Sequence, residues 1–340
     1  MTATGRRRPG PLLAAIVAGV GLAAAACGGS SGPVVGAPPA SRHAAAERAA
    51  TLHWLAKTNQ IWTKNDFAPL GQVTTGEARS AYLAQENQTR SDPGPAGRPP
   101  FRLTSLSITV PCHRGIAATF VAYGNTNVFT LGQSMQPVAL VFRRVSGAWK
   151  LAVIVNQPSS ASGRPAWPAL CRAGAGTTAP AVLTPTDYGA ALARTLDHAA
   201  TGARQTAAAA APFAVNSFFT GPGSFTAQSA TQIRQDRAGG VMLTTQFAPA
   251  DPTLALPLAG GRGYWLVGVL TQTGRYSSPA GIRKDSWPDG AATGPARPSV
   301  VHHGTDTYIT TYTAIDPLRS TEGRITLDGF FGWPLTTVSS

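Results

Sequence analysis

The sequence predicts an α+β protein of two tandem domains, each a helix pair packed on a curved antiparallel sheet. Three observations predict this class: helical patterns open each half of the chain, strand patterns follow them, and a stretch rich in Gly, Ser and Pro separates the halves. Helices followed by several strands are typical of antiparallel sheets that bury one face under helices. The 340 residues, of which 43% are hydrophobic, are enough for two packed cores.

The composition sets the predicted boundaries. We expect a signal segment at residues 1–26, a flexible tether at 27–40, a first domain at 41–158, a linker at 159–182 and a second domain at 183–340. Residues 28–40 contain Gly, Ser, Pro, Ala and Val without a charge, which is typical of a solvated tether.

The first domain begins with two helical patterns. Apolar residues keep to one face over residues 41–66. Thr74, with Glu77 three residues later, predicts a capping box that opens a second helix reaching about Asn87.

Strand patterns follow these helices. Over residues 101–110 the apolar parity changes after Leu103, which indicates a bulge. Residues 116–120 alternate between apolar and small polar side chains. The clearest signal is a hairpin of residues 138–145 and 149–155, joined by Ser146-Gly147.

The second domain repeats the order of helices and then strands. Thr184-Pro185-Thr186-Asp187 predicts the start of a helix that runs to about Ala210, and a shorter helix is expected over 227–236. Strands are predicted at 241–247, 263–273, 305–315 and 324–333, with a long Gly/Pro loop at 274–303.

The first residues of the chain are typical of an export signal. Three basic residues (Arg6, Arg7, Arg8) precede an apolar run of 16 residues that ends at Ala26. A membrane-spanning helix needs about 20 such residues. Small residues precede Cys27, and Gly and Ser follow it.

This layout resembles the lipobox of bacterial lipoproteins, with Ala24 at the position where the consensus prefers Leu. The resemblance implies cleavage before Cys27, acylation of that cysteine and attachment to the extracytoplasmic face of the cell membrane. We expect Sec export, because Pro9-Gly10-Pro11 after the Arg triplet does not fit a twin-arginine signal. Two or three acyl chains hold a protein on a bilayer stably. The alternatives are an ordinary cleaved signal peptide with an incidental cysteine, and an uncleaved membrane anchor.

The charge balance bears on the partners. The formal net charge is +13, and it becomes +10 once residues 1–26 with their three Arg are removed. This excess fits attraction to anionic lipids or wall polymers. The 24 Arg and 4 Lys are scattered, without the runs or interleaved aromatic residues of nucleic-acid grooves. We therefore predict no nucleic-acid partner, and an envelope protein or wall polymer remains a candidate.

Two cysteines, Cys112 and Cys171, remain beside Cys27. In an exported protein they predict one disulfide, which would close a loop of about 60 residues and contribute about 4 kcal/mol in the chain-entropy model. The alternative is a catalytic thiol at Cys112 with His113 as its base. Adjacent residues on a strand point to opposite faces, so we favour the disulfide.

We find no catalytic constellation in the sequence, and we predict no metal site and no cofactor. His302-His303 with Asp306 is the densest group of metal-ligand residue types, but its spacing is not a standard one. We interpret it as a polar strand entrance. Aromatic residues cluster near the C-terminus, at Tyr308, Tyr312, Phe330, Phe331 and Trp333. They form either a pocket for an apolar or sugar-like ligand or the core of a sheet. We favour the sheet core.

Short motifs carry a wider resemblance. The hairpin with Gly147-Ala148-Trp149-Lys150-Leu151 resembles the closing hairpin of nuclear-transport-factor-2-like and cystatin-like cone folds. Together with Cys27, Trp54-Leu55-Ala56 and the two halves, it gives residues 41–335 a resemblance to a family of actinobacterial lipoproteins for which no activity is established. The resemblance implies a fold and a location.

The resulting functional prediction is a non-catalytic envelope lipoprotein that binds a partner or a small ligand. The alternatives are a small cavity enzyme, which requires a buried carboxyl group or His with a shifted pKa, and a wall-facing structural module.

Overall fold

The computed structural model describes residues 42–91, 100–111, 119–127, 135–156, 167–170, 185–283, 300–317 and 324–339. In the first half, residues 42–156, the order is α1 (Arg42–Lys64), α2 (Leu70–Val73), α3 (Gly76–Ser91), β1 (Leu103–Thr109), β2 (Thr119–Thr126), β3 (Gln136–Val145) and β4 (Ala148–Asn156). In the second half, residues 185–339, it is α4 (Pro185–Ala200), α5 (Phe225–Ala238), β5 (Met242–Pro257), β6 (Gly263–Arg283), β7 (Val300–Pro317) and β8 (Thr326–Ser339).

The strands form two four-stranded antiparallel sheets, ordered β1-β2-β3-β4 and β5-β6-β7-β8. The molecule is therefore a mixed α+β protein in which helices precede each sheet, so the predicted fold class is confirmed at this level. Neighbouring strands are consecutive in sequence, as is common in antiparallel sheets.

The first sheet contains both features that the sequence predicts for it. The register of β1 against β2 shifts between Thr104 and Ser107, where Ser105 has a φ of 55°, and this is the expected bulge. Val145 pairs with Ala148 across a two-residue turn. Ser146 and Gly147 have φ values of 50° and 82°, as a type I′ hairpin turn requires.

One face of the first sheet packs against helices α1–α3. Trp54 of α1 contacts Phe142 edge-on at 5.9 Å between ring centroids, and Phe142 stacks on Phe120 at 4.6 Å. This core is mainly apolar and is completed by Trp62, Leu70 and Tyr82, among other residues of the helices.

The second half departs from two predicted boundaries. The long strands β6 and β7 include residues 274–283 and 300–303, so the prediction of a loop over these residues is wrong. The prediction that α4 continues to Ala210 is also wrong: the helix ends at Ala200, and Gly202 follows with a φ of 75°. A left-handed glycine after the last turn ends the helix although the following alanines favour helix.

The two sheets pack face to face through their second faces. Their shared core contains Val121, Val141 and Val153 from the first sheet and Trp265, Val267 and Val269 from the second. Tyr123 and Trp265 lie 6.4 Å apart between ring centroids across this contact. The layers are therefore helices, sheet, sheet, helices.

The part of the predicted linker that the structure describes, residues 167–170, belongs to this inter-sheet core. Trp167 contacts the rings of Tyr123 and Trp265. Leu170 forms an antiparallel bridge with Leu258, and Ala259 N–H donates to the carbonyl of Ala169 at 2.7 Å. This short segment attaches to both halves.

Candidate functional site

A row of polar side chains lies on the helix-facing side of β7. Residues at alternate positions of a strand share a face, and the row shares its face with the helix-packed Leu266 and Leu270 of β6. Asp306, Thr310 and Asp316 are nearly or fully inaccessible, at 2%, 0% and 0% exposure. The matching face of the first sheet is mainly apolar, with one buried threonine, Thr126. The row comprises Asp306, Tyr308, Thr310, Tyr312 and Asp316.

Two members of this row are fixed by contacts within the second half. The Tyr312 hydroxyl lies 2.6 Å from Oγ1 of Thr253, and a Cβ at Gly268 would lie 2.3 Å from Cζ of the Tyr312 ring, so only glycine leaves room for the ring. The Tyr188 hydroxyl of α4 donates to Asp316. Tyr312 and Asp316 therefore each have a structural partner.

Helix α5 covers the other end of the row with a polar side. Its buried positions are Phe225, Thr226, Ser229 and Gln232, and its last turn contains the half-buried Asp236. Phe225 packs near Phe247 and Phe330, at 6.1 Å and 6.0 Å between ring centroids. The helix therefore lies across the sheet with polar side chains turned inward, three and four residues apart.

Four titratable groups meet beneath the last turn of α5. Burial raises the pKa of Tyr276 far above its usual range, and the nearby Asp306, Tyr308 and Asp236 raise it further. Burial, and then Asp306, raises the pKa of Tyr308. Burial also raises the pKa of Asp236, against the opposing effect of a 2.7 Å hydrogen bond from Gln232. We call Asp236, Tyr276, Asp306 and Tyr308 the Tyr–Asp cluster.

Several buried polar atoms of α5 and of the second sheet lack a hydrogen bond. Among the residues that the structure describes, the hydroxyls of Thr226, Ser278 and Thr310 have no hydrogen-bond partner, and neither has Oδ2 of Asp236. Buried polar groups are nearly always satisfied by protein, water or ligand. These atoms leave room for hydrogen bonds to water or a polar ligand between α5 and the sheet.

The structure separates the His302-His303-Asp306 group of the sequence analysis. Asp306 is buried, whereas both histidines are exposed. His302 Nδ1 lies 3.1 Å from the carbonyl of Ser278. Within the described ranges, no group of three or more His, Cys, Asp or Glu residues could hold a metal ion.

The aromatic patch of the sequence analysis contributes to the core. Tyr312 is fully buried, and Phe330 packs against Phe218, Phe225 and Phe247. The side chains of Phe331 and Trp333 lie outside the described part of the structure. For Tyr312 and Phe330, the interpretation as sheet core therefore holds.

Glu77 is a second buried acid, at the start of α3 between the two halves. Its Oε2 accepts the N–H of Ile154 on β4 at 3.1 Å. The prediction that Glu77 forms a capping box at the start of the helix is therefore wrong. Burial raises the pKa of Glu77 to about 8, Asp251 raises it too, and the Ile154 N–H and the Thr311 hydroxyl act against them. A buried carboxyl group with a shifted pKa is what the enzyme alternative requires, but this one lies between the sheets.

Sequence reasoning missed Asp236, Tyr276, Thr310 and Asp251. The sequence did contain a signal for the site under α5. Polar residues recur at helical spacing, at positions 226, 229, 232 and 236. They also recur at strand spacing, at positions 306, 308, 310 and 312. Both stripes are placed where apolar residues normally form a core. Asp251 carried no signal, since it falls in a bulged part of β5.

The predicted modification sites lie outside the described residues. These are Cys27, with the signal segment and tether, and the predicted disulfide partners Cys112 and Cys171. In the part of the chain that the structure describes, no helix is long and apolar enough to cross a membrane.

The comparisons with known proteins add no relative. No protein-family model matches the chain, and no curated protein matches it.

Proposed function

We propose that this chain is a non-catalytic lipoprotein, acylated on Cys27 and held on the extracytoplasmic face of the cell membrane, whose second half binds a small polar ligand at the Tyr–Asp cluster. The proposal has two supports. The residues around Cys27 have the layout of a lipobox. The polar side of α5 opposes the polar row of β7 around buried hydroxyls without hydrogen-bond partners among the described residues, and this observation carries the ligand site.

The cluster favours one class of ligand. Asp236 and Asp306 supply acceptors, and the surrounding Tyr, Thr and Ser hydroxyls both donate and accept. An anionic ligand would be repelled by the two carboxyl groups. An amine or a polyol would instead satisfy the buried oxygens, and a site built of buried hydrogen-bonding groups discriminates strongly against ligands that lack the matching groups.

The finer fold assignment belongs to the same proposal. Each half is a domain of the cone-fold type, with helices on one face of a bent sheet. The bulges in β1–β2, β3–β4 and β5–β6 support it, because bulges bend the strands that contain them.

Intact-mass spectrometry of the membrane-extracted protein tests the anchor. We expect the mass of a chain starting at Cys27 plus diacylglyceryl and acyl groups, and an increase of about 2 Da on reduction if Cys112 and Cys171 are joined. An unlipidated mass would overturn the anchor, and a mass unaffected by reduction would remove the disulfide.

A ligand screen tests the site. Thermal unfolding is measured with putrescine, sorbitol and succinate, followed by calorimetric titration. We expect the amine or the polyol, but not succinate, to raise the midpoint temperature. Thr310→Val should leave the free protein as stable as the wild type, because the hydroxyl it removes has no protein partner, and should weaken ligand binding about two- to tenfold.

Thr195→Val is the matched control. Thr195 is equally buried in the second half, but its hydroxyl donates to the carbonyl of Ala191 in its own helix, so this variant should lose stability and keep its affinity. A loss of stability in Thr310→Val without ligand, or no protection by any of the three compounds, would overturn the site.

One observation favours the alternative of a wall-facing structural module: the formal net charge is +10 after removal of residues 1–26. Retention on anionic wall polymer that falls steeply with salt, between about 50 and 300 mM, would favour that alternative over a small-ligand role, because screening weakens exposed charge pairs.

A further inference from the structure

A group of oxygen atoms lies where α3 begins, between the two sheets. Glu77 is 1% exposed, and its Oε2 is held by the Ile154 N–H. Oδ2 of Asp251 and the carbonyl oxygen of Ala152 lie 3.3 Å and 3.5 Å from the position that a Cβ on Gly76 would take. The Thr311 hydroxyl of β7 is close enough to lower the pKa of Glu77. The oxygens thus come from α3, β4, β5 and β7.

The hydrogen bonding of the Glu77 carboxyl group is incomplete. Within the described ranges, Oε1 of Glu77 has no well-aligned hydrogen bond, although Glu77 is 1% exposed. The equally buried Thr311 hydroxyl has the Glu77 carboxyl group as its neighbour. Asp251 adds a second negative charge at the edge of the group, where it is exposed to solvent. A buried carboxylate whose charge is not neutralised is costly, and two neighbouring carboxylates repel each other.

The donor set suits a hard cation. Carboxylate, hydroxyl and carbonyl oxygens are the ligands that Ca²⁺ takes, in a flexible geometry of six to eight oxygens that water can complete. Mg²⁺ demands a near-ideal octahedron and keeps several waters, which fits a half-buried site formed by four separate elements less well. The exposed Asp251 offers a path from solvent.

The geometry points to a calcium-class divalent cation site formed by Glu77, Asp251 and Thr311 at the junction of the two sheets. The cation binds the Glu77 carboxylate and neutralises its charge together with that of Asp251. It thereby ties α3 to β5 and β7. Extracellular calcium sites typically bind at 10⁻⁴–10⁻³ M, and we expect an affinity in that range.

Calcium titration of the full chain tests this proposal. After treatment with EDTA, the protein is titrated calorimetrically with CaCl₂ and with MgCl₂ at pH 8.5 and matched ionic strength, and thermal unfolding is followed in parallel. We expect one Ca²⁺ per chain, weaker binding of Mg²⁺, and a rise of about 2–4 °C in midpoint temperature at 5 mM CaCl₂.

Three variants and two controls locate the site. Glu77→Gln keeps an acceptor for the Ile154 N–H, Asp251→Asn changes an exposed side chain, and Thr311→Val keeps its shape, so all three should fold. The first two should weaken calcium binding at least tenfold and the third less. Asp66→Asn, an exposed carboxylate whose Oδ1 accepts the Ala68 N–H, should bind calcium as the wild type does. Thr310→Val should do the same, because its side chain lies on the opposite face of β7.

Two outcomes would overturn the site. Equal calcium effects in the wild type and in Glu77→Gln would mean a nonspecific ion effect. No calcium binding at 10 mM and pH 8.5 would mean that Glu77 takes only a proton. Neither result bears on the proposed ligand site under α5, because the test of that site uses Thr310→Val and not Thr311→Val.

Discussion

At the scale of single residues, Glu77 has the sequence spacing of a capping box, but its side chain makes a different hydrogen bond. Thr74 and Glu77 have the spacing of a capping box, but helix α3 begins at Gly76. Thr74 donates its hydroxyl to the carbonyl of Leu70 at 2.9 Å. Glu77 is therefore free to reach the edge strand β4, where it satisfies an N–H that has no neighbouring strand.

The raised pKa of Glu77 predicts a pH-dependent stability in calcium-free buffer. Below about pH 4.5 the group is protonated in the folded and unfolded states. Between pH 4.5 and about 8, only the folded state keeps the proton, so the free energy of unfolding falls as pH rises, by about 1.4 kcal/mol per pH unit from this group. Above about pH 8 its contribution is constant.

Urea denaturation at pH 5, 6, 7 and 8 with EDTA measures this slope. Glu77→Gln should flatten it, because glutamine is neutral at every pH in the series, whereas Asp66→Asn should leave it unchanged. A slope that persists in Glu77→Gln would show that other groups cause it.

At the scale of elements, α5 differs from an ordinary amphipathic helix because its inward side is polar. It does not gain its place by burying an apolar stripe, so local signals at its ends matter more. Ser224 caps the helix by accepting the Ala227 N–H at 3.3 Å, and Gly239 donates its N–H to the carbonyls of the last turn. Phe225 supplies the main apolar contact.

Removal of this cap should loosen the cover of the Tyr–Asp cluster. We expect Ser224→Ala to lower the free energy of unfolding by about 1 kcal/mol and to speed amide hydrogen exchange in α5 more than in α4. Ser224→Asp, which retains a capping oxygen, should restore both values. Equal exchange in α5 for the wild type and Ser224→Ala would show that packing alone holds the helix.

At the scale of the whole molecule, the two sheets share a core, so neither half buries both faces of its sheet alone. Trp265 is 1% exposed at the centre of this contact and lies near Tyr123 of the first half and Trp167 of the connecting segment. The inter-sheet core should therefore couple the unfolding of the halves.

We expect calorimetry of the wild type to give one cooperative transition, with equal calorimetric and van't Hoff enthalpies. Trp265→Ala should cost about 3–5 kcal/mol, as large-to-small changes in a core do, and should split the transition as the halves uncouple. Met242→Ala, at a position 53% exposed, is the control and should unfold as the wild type does. Two transitions in the wild type would contradict the shared core.

The sequence by itself determined the class of the fold and the local features that short-range rules govern. The order of helices and strands, the bulge after Thr104 and the Ser146-Gly147 hairpin follow from apolar periodicity and turn chemistry, which act within a few residues. The boundary errors at Ala200 and residues 274–283 arose where a single glycine or a long strand pairing overrode local propensity.

Only the tertiary structure decided which distant residues lie in contact. The face-to-face sheets, the Tyr–Asp cluster and the Glu77–Asp251–Thr311 group join residues that are far apart in the chain. Glu77 and Thr311 come from different halves, and Asp236 and Asp306 come from a helix and a strand. Such contacts depend on how whole elements pack, and a single sequence carries no local signal for that.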